Sequence, residues 1–139
     1  MKASLMDRGN YYRGLLVLIG RDRIIDSREH ELMLQLGKIL DFDVRFCEAA
    51  IADLLDNKYI NDNPILFDEP EIAECFLRDG LKLALADKEL HSRELSWLKT
   101  IARTNKLPDD WVDKECRRLL LEGKDAEIQP DSFEIHRHL

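Results

Sequence analysis

The chain has 139 residues, which is enough for one hydrophobic core, whereas two independent domains would each be unusually small. Hydrophobic residues make up 45% and charged residues 35%, a balance that excludes an intrinsically disordered chain. Lys and Arg number 21 against 28 Asp and Glu, so the formal net charge is −7. An acidic chain is a poor partner for duplex DNA or an anionic membrane, and the negative charge is concentrated in residues 41–80.

The chain carries no sign of secretion. The longest apolar run near the start, residues 15–19, is too short to span a bilayer or to form a signal peptide. The three cysteines, Cys47, Cys75 and Cys116, are widely spaced and odd in number, which fits neither a disulfide framework nor a zinc site. We therefore expect reduced, buried thiols in a cytoplasmic protein with no direct membrane insertion.

The first half of the chain predicts three helices. Apolar residues recur at spacings of three and four, and no stretch alternates apolar and polar residues, so the fold class is predicted to be all-α. The periodicity predicts helices over residues 11–22, 27–40 and 44–55. Residues 56–69 then break the pattern with turn-forming residues.

The second half of the chain predicts three more helices. Asp68 and Glu71 have the spacing of a capping box, so a long central helix is expected to run from there to about residue 87. Two further helices are predicted over residues 92–104 and 109–121. We assign residues 1–123 to the helical domain and expect residues 124–139 to form an acidic, loosely ordered C-terminal tail.

The two halves contain an internal repeat. An offset of 65 residues superposes the apolar positions and also brings together four polar or charged identities within eight residues, which chance patterning rarely produces. The repeat halves, about 11–55 and 69–121, are expected to be three-helix units. They should pack as a single-domain helical bundle of about six to seven helices with pseudo-symmetric halves. The identical pairs are Asp22 with Asp87, Ser27 with Ser92, Arg28 with Arg93 and Glu29 with Glu94.

The repeated segment places acidic residues at equivalent bends. An acid at the end of a helix faces the negative pole of the macrodipole, a mismatch of about 0.3 to 1 kcal/mol, so a nearby cation is expected. Hard oxygen ligands favour Ca²⁺ or Mg²⁺. The loop lacks the ligand spacing of an EF-hand, so one ion would be held by both bends together. The proposed metal ligands are Asp22, Glu29, Asp87 and Glu94, with Asp26 and Glu89 as additions.

A metal-free interpretation uses the same residues. Arg28 and Arg93 lie inside the repeated motif and would neutralise its two Asp residues as ion pairs. Glu29 would be the third-position acid of a helix capped by Asp26, which is a favourable place for a negative charge. The sequence leaves both interpretations open.

The repeated segment resembles the TerB-like family. That family is named for a tellurite-resistance protein and is also found at the start of some membrane-anchored J-domain co-chaperones. The resemblance lies in an apolar helix end followed by Asp, an Ile or Leu three residues on, and a Glu that opens the next helix. It covers about residues 12–121, with LLVLIGRDRIIDSREHELMLQLGKIL as the clearest stretch and LKLALADKELHSRELSWLKTIAR as its echo.

The resemblance implies an all-helical fold of two pseudo-symmetric halves. It also implies that Asp22, Glu29, Asp87 and Glu94 form an acidic cluster linked to divalent cations. The implied role is non-enzymatic and lies in stress response at or near the inner membrane, through partner proteins. Family members commonly have Gly after the Asp, whereas this chain has a basic residue beside each proposed ligand, at positions 23 and 88.

The sequence contains none of the familiar catalytic motifs, since it lacks a Gly-rich phosphate loop, a nucleophile elbow and a zinc-binding His-Glu-x-x-His helix. We therefore predict a TerB-like binding module and not an enzyme. Its partners would be other proteins, such as a membrane-associated stress-response complex, and not nucleic acid. Residues 41–80 would offer a basic partner an acidic patch. The alternative is a metal-free adaptor whose motif acids only cap helices and pair with Arg28 and Arg93.

Overall fold

A computed structural model of the chain describes residues 3–21, 24–57, 61–86, 91–122 and 129–139. These residues form helices and no strand, so the all-α prediction is confirmed for the described part of the chain. A helical bundle of about six helices likewise agrees with the prediction. The helices are α1 (Leu5–Ile19), α2 (Ser27–Ile39), α3 (Val44–Asp56), α4 (Pro70–Ala86), α5 (Ser92–Thr104) and α6 (Trp111–Leu121), followed by short 3₁₀ helices at Pro130–Ser132 and Glu134–His138.

Helix α1 begins at Leu5, well before the predicted start at residue 11. Ser4 caps it by accepting a hydrogen bond from the Asp7 N–H at 3.0 Å. The sequence hides this first part because it contains Gly9 and the polar residues Asp7 and Asn10, which break the apolar pattern although the latter two are buried. Nearly every residue of α1 beyond Asn10 is buried, so α1 is as central as α4.

The packing of α1 against α4 joins the two halves. Within each half the three helices contact one another, and α1 meets α4 across the middle. Tyr11 and Phe76 are 65 positions apart, and their rings meet edge to face with centroids 6.1 Å apart. A Cβ atom on Gly14 would lie 2.5 Å from Phe76 Cε1, so only glycine permits this approach. Contact between equivalent positions is what a two-fold relation between the halves requires.

The repeat extends to the backbone of the turns between the second and third helices of each half. Asp41 has φ 69° and Lys106 has φ 64°, and these are the two non-glycine residues with positive φ in the described chain. Each ends its helix in a Schellman motif, in which the next N–H bonds back five residues. Those bonds run from Phe42 N–H to the Gly37 carbonyl at 2.8 Å and from Leu107 N–H to the Ala102 carbonyl at 2.9 Å.

These equivalent turns predict matched effects of glycine. Asp41→Gly and Lys106→Gly should each raise the free energy of unfolding by about 0.5–1 kcal/mol, because L-residues are strained at positive φ. The two gains should add, since the turns are in different halves. Urea denaturation measures the free energy of unfolding of both variants. Lys38→Gly, inside α2, is the control and should lower the free energy of unfolding by about 0.5–1 kcal/mol. A loss of stability in either variant would contradict the positive φ assigned to that turn.

Residues 129–139 pack on the helices, which corrects the expectation of a loosely ordered tail for this part of the chain. Phe133 and Ile135 are buried, and the second 3₁₀ helix lies on α4. The Ala3 N–H donates to the His138 carbonyl at 2.6 Å, which ties the segment to the N-terminus. The groups that hold it are far away in sequence, so local composition gave no sign of them. Residues 124–128 of the expected tail lie outside the described residues.

A buried carboxylate in α4 holds the C-terminal segment. Asp79 Oδ1 accepts the Glu134 N–H at 2.8 Å, and its Oδ2 accepts the Ile135 N–H at 3.2 Å and the Tyr11 hydroxyl at 2.7 Å. Burial raises the pKa of Asp79 above its ordinary value, although the hydrogen bonds from the Glu134 N–H and the Tyr11 hydroxyl oppose that rise. One side chain therefore connects α1, α4 and the C-terminal segment.

A second buried carboxylate fixes the start of α4. Asp7 accepts the Asp68 N–H at 2.7 Å and the Glu69 N–H at 3.1 Å, so α1 supplies the acceptors. The sequence predicted instead that Asp68 would cap this helix together with Glu71. The Asp68 carboxylate accepts the Ser4 hydroxyl at 3.2 Å. Residues 68 and 69, which lead from the first half into α4, are thus held by Asp7 of the first half.

Removal of the Asp79 carboxylate should release the C-terminal segment. Asp79→Ala leaves two backbone N–H groups and one hydroxyl without their acceptor, so the free energy of unfolding should fall by about 3 kcal/mol. Urea denaturation measures the loss, and hydrogen exchange at the Glu134 and Ile135 amides should become faster. Asp131→Ala, at an exposed site in the same segment, should stay within about 0.5 kcal/mol. Unchanged exchange at those two amides would refute this role.

Candidate functional site

The bend before α2 places Glu29 in a capping box. The Asp26 carboxylate accepts the Glu29 N–H at 2.8 Å, and Glu29 Oε1 accepts the Asp26 N–H at 3.1 Å. Two N–H groups of the first helical turn, which have no partner inside the helix, are satisfied in this way. This is the geometry that the metal-free interpretation predicted for Glu29.

In the bend before α5, Glu94 takes the place that Glu29 has before α2. Glu94 Oε1 accepts the His91 N–H at 3.2 Å, and Glu94 is only 9% exposed. His91 stands where the first half has Asp26. In both halves a Glu three residues into the sequence from the N-cap therefore accepts the N-cap N–H group. In the second half this Glu is largely buried.

The other two predicted ligands, Asp22 and Asp87, lie outside the described residues, as does Glu89. Across the ranges that the structure describes, no group of three or more His, Cys, Asp and Glu side chains is arranged to hold a metal ion. The structure thus gives Glu29 and Glu94 a hydrogen-bonding role and does not describe their distance from the predicted partners. The divalent-cation site remains a prediction.

A second candidate surface lies at the start of α3. The apolar spacing of residues 44–55 predicts that Phe46 points inward with Cys47 and Ile51, but 49% of it is exposed. Among the described helices α3 packs mainly on α2 and α1, so a narrow stripe through Cys47 and Ile51 is buried and Phe46 lies beside it. The sequence could not supply this correction, because it does not reveal how many neighbours a helix has.

Acidic residues flank Phe46 in the sequence around the start of α3. We name the set of Asp41, Asp43, Phe46 and Glu48 the acidic α3 surface, and all four are exposed. Asp43 accepts the Arg45 N–H at 2.7 Å and caps α3. Glu48 Oε2 lies 3.2 Å from His30 Nε2 on the neighbouring helix α2. The surface combines negative charge with one large apolar side chain.

The clearest pKa shifts belong to groups that hold the fold together. Burial raises the pKa of the Tyr11 hydroxyl and of the Cys75 thiol, and in both cases the nearby Asp79 carboxylate adds to the rise. Perturbed groups often mark active sites, but these three lie between α1, α4 and the C-terminal segment. Their chemistry is accounted for by packing and hydrogen bonding.

Comparison with known proteins found no matching family model, no matching curated protein and no matching solved structure. The TerB-like resemblance is therefore supported by the sequence pattern alone. In the part of the chain that the structure describes, every helix is too short or too polar to cross a membrane.

The capping geometry predicts how substitutions at Glu29 and Glu94 affect stability. Glu29→Ala and Glu94→Ala should each lower the free energy of unfolding by about 1 kcal/mol, because a backbone N–H loses its acceptor. The Gln variants keep an acceptor oxygen and should stay within about 0.5 kcal/mol of the parent protein. Thermal and urea unfolding test both pairs. Equal losses for Ala and Gln would show that the negative charge matters and not the cap.

Proposed function

We propose that this chain is a non-enzymatic, TerB-like binding module that holds a basic segment of another protein on the acidic α3 surface. The observation that carries the proposal is the exposure of Phe46 at the start of α3, where Asp41, Asp43 and Glu48 are exposed too. An exposed large apolar side chain on a charged surface is typical of interaction sites. The negative charge of this end of α3 favours a partner with Lys or Arg beside an apolar anchor.

The packing beneath Phe46 supports a preformed site. The centroids of the Phe46 and Phe42 rings are 5.3 Å apart. The Phe42 ring in turn meets the Tyr12 ring edge to face, with centroids 5.8 Å apart. The Arg8 guanidinium covers Phe42 at 5.9 Å and donates to the Leu40 carbonyl at 2.6 Å. A ring supported from the core loses little conformational freedom on binding, which favours affinity.

The capping bonds of Glu29 and Glu94 support the metal-free form of this module. In that form the repeated acids stabilise the starts of α2 and α5 and need no cation. The module would act as a cytoplasmic scaffold that recruits a partner, such as a component of a stress-response complex at a membrane.

A second candidate retains the cation, and the matched positions of Glu29 and Glu94 in equivalent bends favour it. In this form Asp22, Glu29, Asp87 and Glu94 bind Ca²⁺ or Mg²⁺ through hard oxygen ligands, and the bends tighten when the ion neutralises them. The role in a tellurite-resistance-like stress response is part of this candidate.

The partner surface is tested with an amidated peptide helix of Lys and Leu, labelled for fluorescence anisotropy. Phe46→Ala should weaken binding about tenfold or more, as loss of a central aromatic anchor does. Added salt should also weaken binding, because the attraction is between exposed charges. Leu121→Ala, at an exposed site on α6, is the matched control and should bind normally. Equal binding by Phe46→Ala and the parent protein, or binding that added salt leaves unchanged, would reject the proposal.

The cation is tested by titrating Ca²⁺ or Mg²⁺ while measuring the melting temperature. An ion that binds the folded state raises the melting temperature of the parent protein. The rise should disappear in Asp22→Asn/Asp87→Asn and in Glu29→Gln/Glu94→Gln, of which the second pair keeps the helix caps. Superimposable curves for all three proteins would support the metal-free form.

A further inference from the structure

Two neighbouring cavities form a groove along α1, which we name the α1 groove. They have volumes of about 190 and 250 Å³ and share Arg13, Val17 and Asn61 in their walls. The first lies between α1, α5 and the segment 61–66, with Trp97 in its wall, and the second lies between α1 and α3. Each is smaller than the roughly 300–1,000 Å³ of a small-molecule site, so each suits a single side chain of a peptide.

The loop wall of the α1 groove is fixed by the second half of the chain. Trp97 Nε1 donates to the Asp62 carbonyl at 2.6 Å. Asn105, at the end of α5, donates to the Ile65 carbonyl at 2.7 Å and accepts the Phe67 N–H at 3.0 Å. Because the wall is already held in place, little conformational entropy is lost when a ligand enters.

Arg13 gives the first cavity its charge. Among the described residues of that wall it is the one with a charge, and it donates to the amide oxygen of Asn10. Within the described ranges no carboxylate pairs with its guanidinium, although the chain is strongly acidic overall. An exposed guanidinium among asparagine and apolar side chains is suited to a carboxylate, which it binds through two parallel hydrogen bonds.

The second cavity is suited to an apolar side chain. Half of its wall is apolar, from Leu16, Val17, Ala50 and Leu54, and the other half is polar, from Arg13, Asp53, Asn57 and Asn61. Asp53 would repel a carboxylate here, so the two cavities differ in what they accept. Their order along α1 places an acidic side chain beside Trp97 and an apolar one beside α3.

We propose that the α1 groove docks a peptide segment of a partner protein that carries an acidic residue next to an apolar one. The acidic side chain pairs with Arg13 in the first cavity, and the apolar side chain fills the second. This site goes beyond the proposed function, because it selects negative charge whereas the acidic α3 surface selects positive charge. Neither site depends on the other.

The test uses an array of acetylated, amidated eight-residue peptides in which a central Glu is flanked by Leu, Val, Ile or Phe, each paired with its Gln version. Glu peptides should bind the full chain, and their Gln versions should bind about tenfold or more weakly, as expected when a charged hydrogen-bond partner is lost. Arg13→Gln should cause a similar loss. Arg45→Gln is the control, since that side chain is 91% exposed on α3, and it should bind as the parent does.

Nuclear magnetic resonance locates the peptide. Bound Glu peptide should shift the Trp97 indole N–H and the Asn61 and Asn63 side-chain amides. Arg13 is exposed, so thermal unfolding of the Arg13→Gln variant should match that of the parent and show that it folds. Three results would each overturn the proposal: no Glu peptide binds, Glu and Gln peptides bind equally, or the changes in chemical shift are concentrated around Phe46.

Discussion

The contact between α1 and α4 is the constraint on which the rest of the structure depends. Neither three-helix half could bury its apolar face alone, and the approach of Tyr11 and Gly14 to Phe76 lets each half cover the other. Close packing at this contact fixes the direction of every other helix, because α2 and α3 rest on α1 while α5 and α6 rest on α4. A single symmetric contact therefore makes one domain out of two repeats.

Two buried carboxylates then determine where the irregular segments lie. Asp7 on α1 accepts N–H groups from the link between the halves, and Asp79 on α4 accepts them from the C-terminal segment. Burying a carboxylate is costly unless several donors satisfy it, so each acts as an anchor only for the segment that supplies those donors. The two residues do not occupy equivalent repeat positions, so the two halves hold their neighbouring segments in different ways.

The surfaces that remain have opposite character, which bears on function. The acidic α3 surface offers exposed carboxylates and the exposed ring of Phe46, whereas the α1 groove offers the guanidinium of Arg13 next to apolar walls. Both are built on helices that the core supports, so both are preformed. The acids at the bends, by contrast, are engaged in capping where the structure describes them. This division of roles underlies the proposal that the chain recruits other proteins.

The sequence by itself determined the helix pattern, the repeat and part of the candidate site. Helices α2, α3 and α5 begin where predicted, because capping residues and apolar spacing are local, and Glu29 caps as the metal-free interpretation required. Tertiary structure decided the early start of α1, the docking of residues 129–139, the exposure of Phe46 and the α1 groove. These features depend on which distant groups meet: a carboxylate in one helix satisfies a backbone in another, and the neighbours of a helix set which of its faces is buried. Local periodicity carries no information about such long-range contacts.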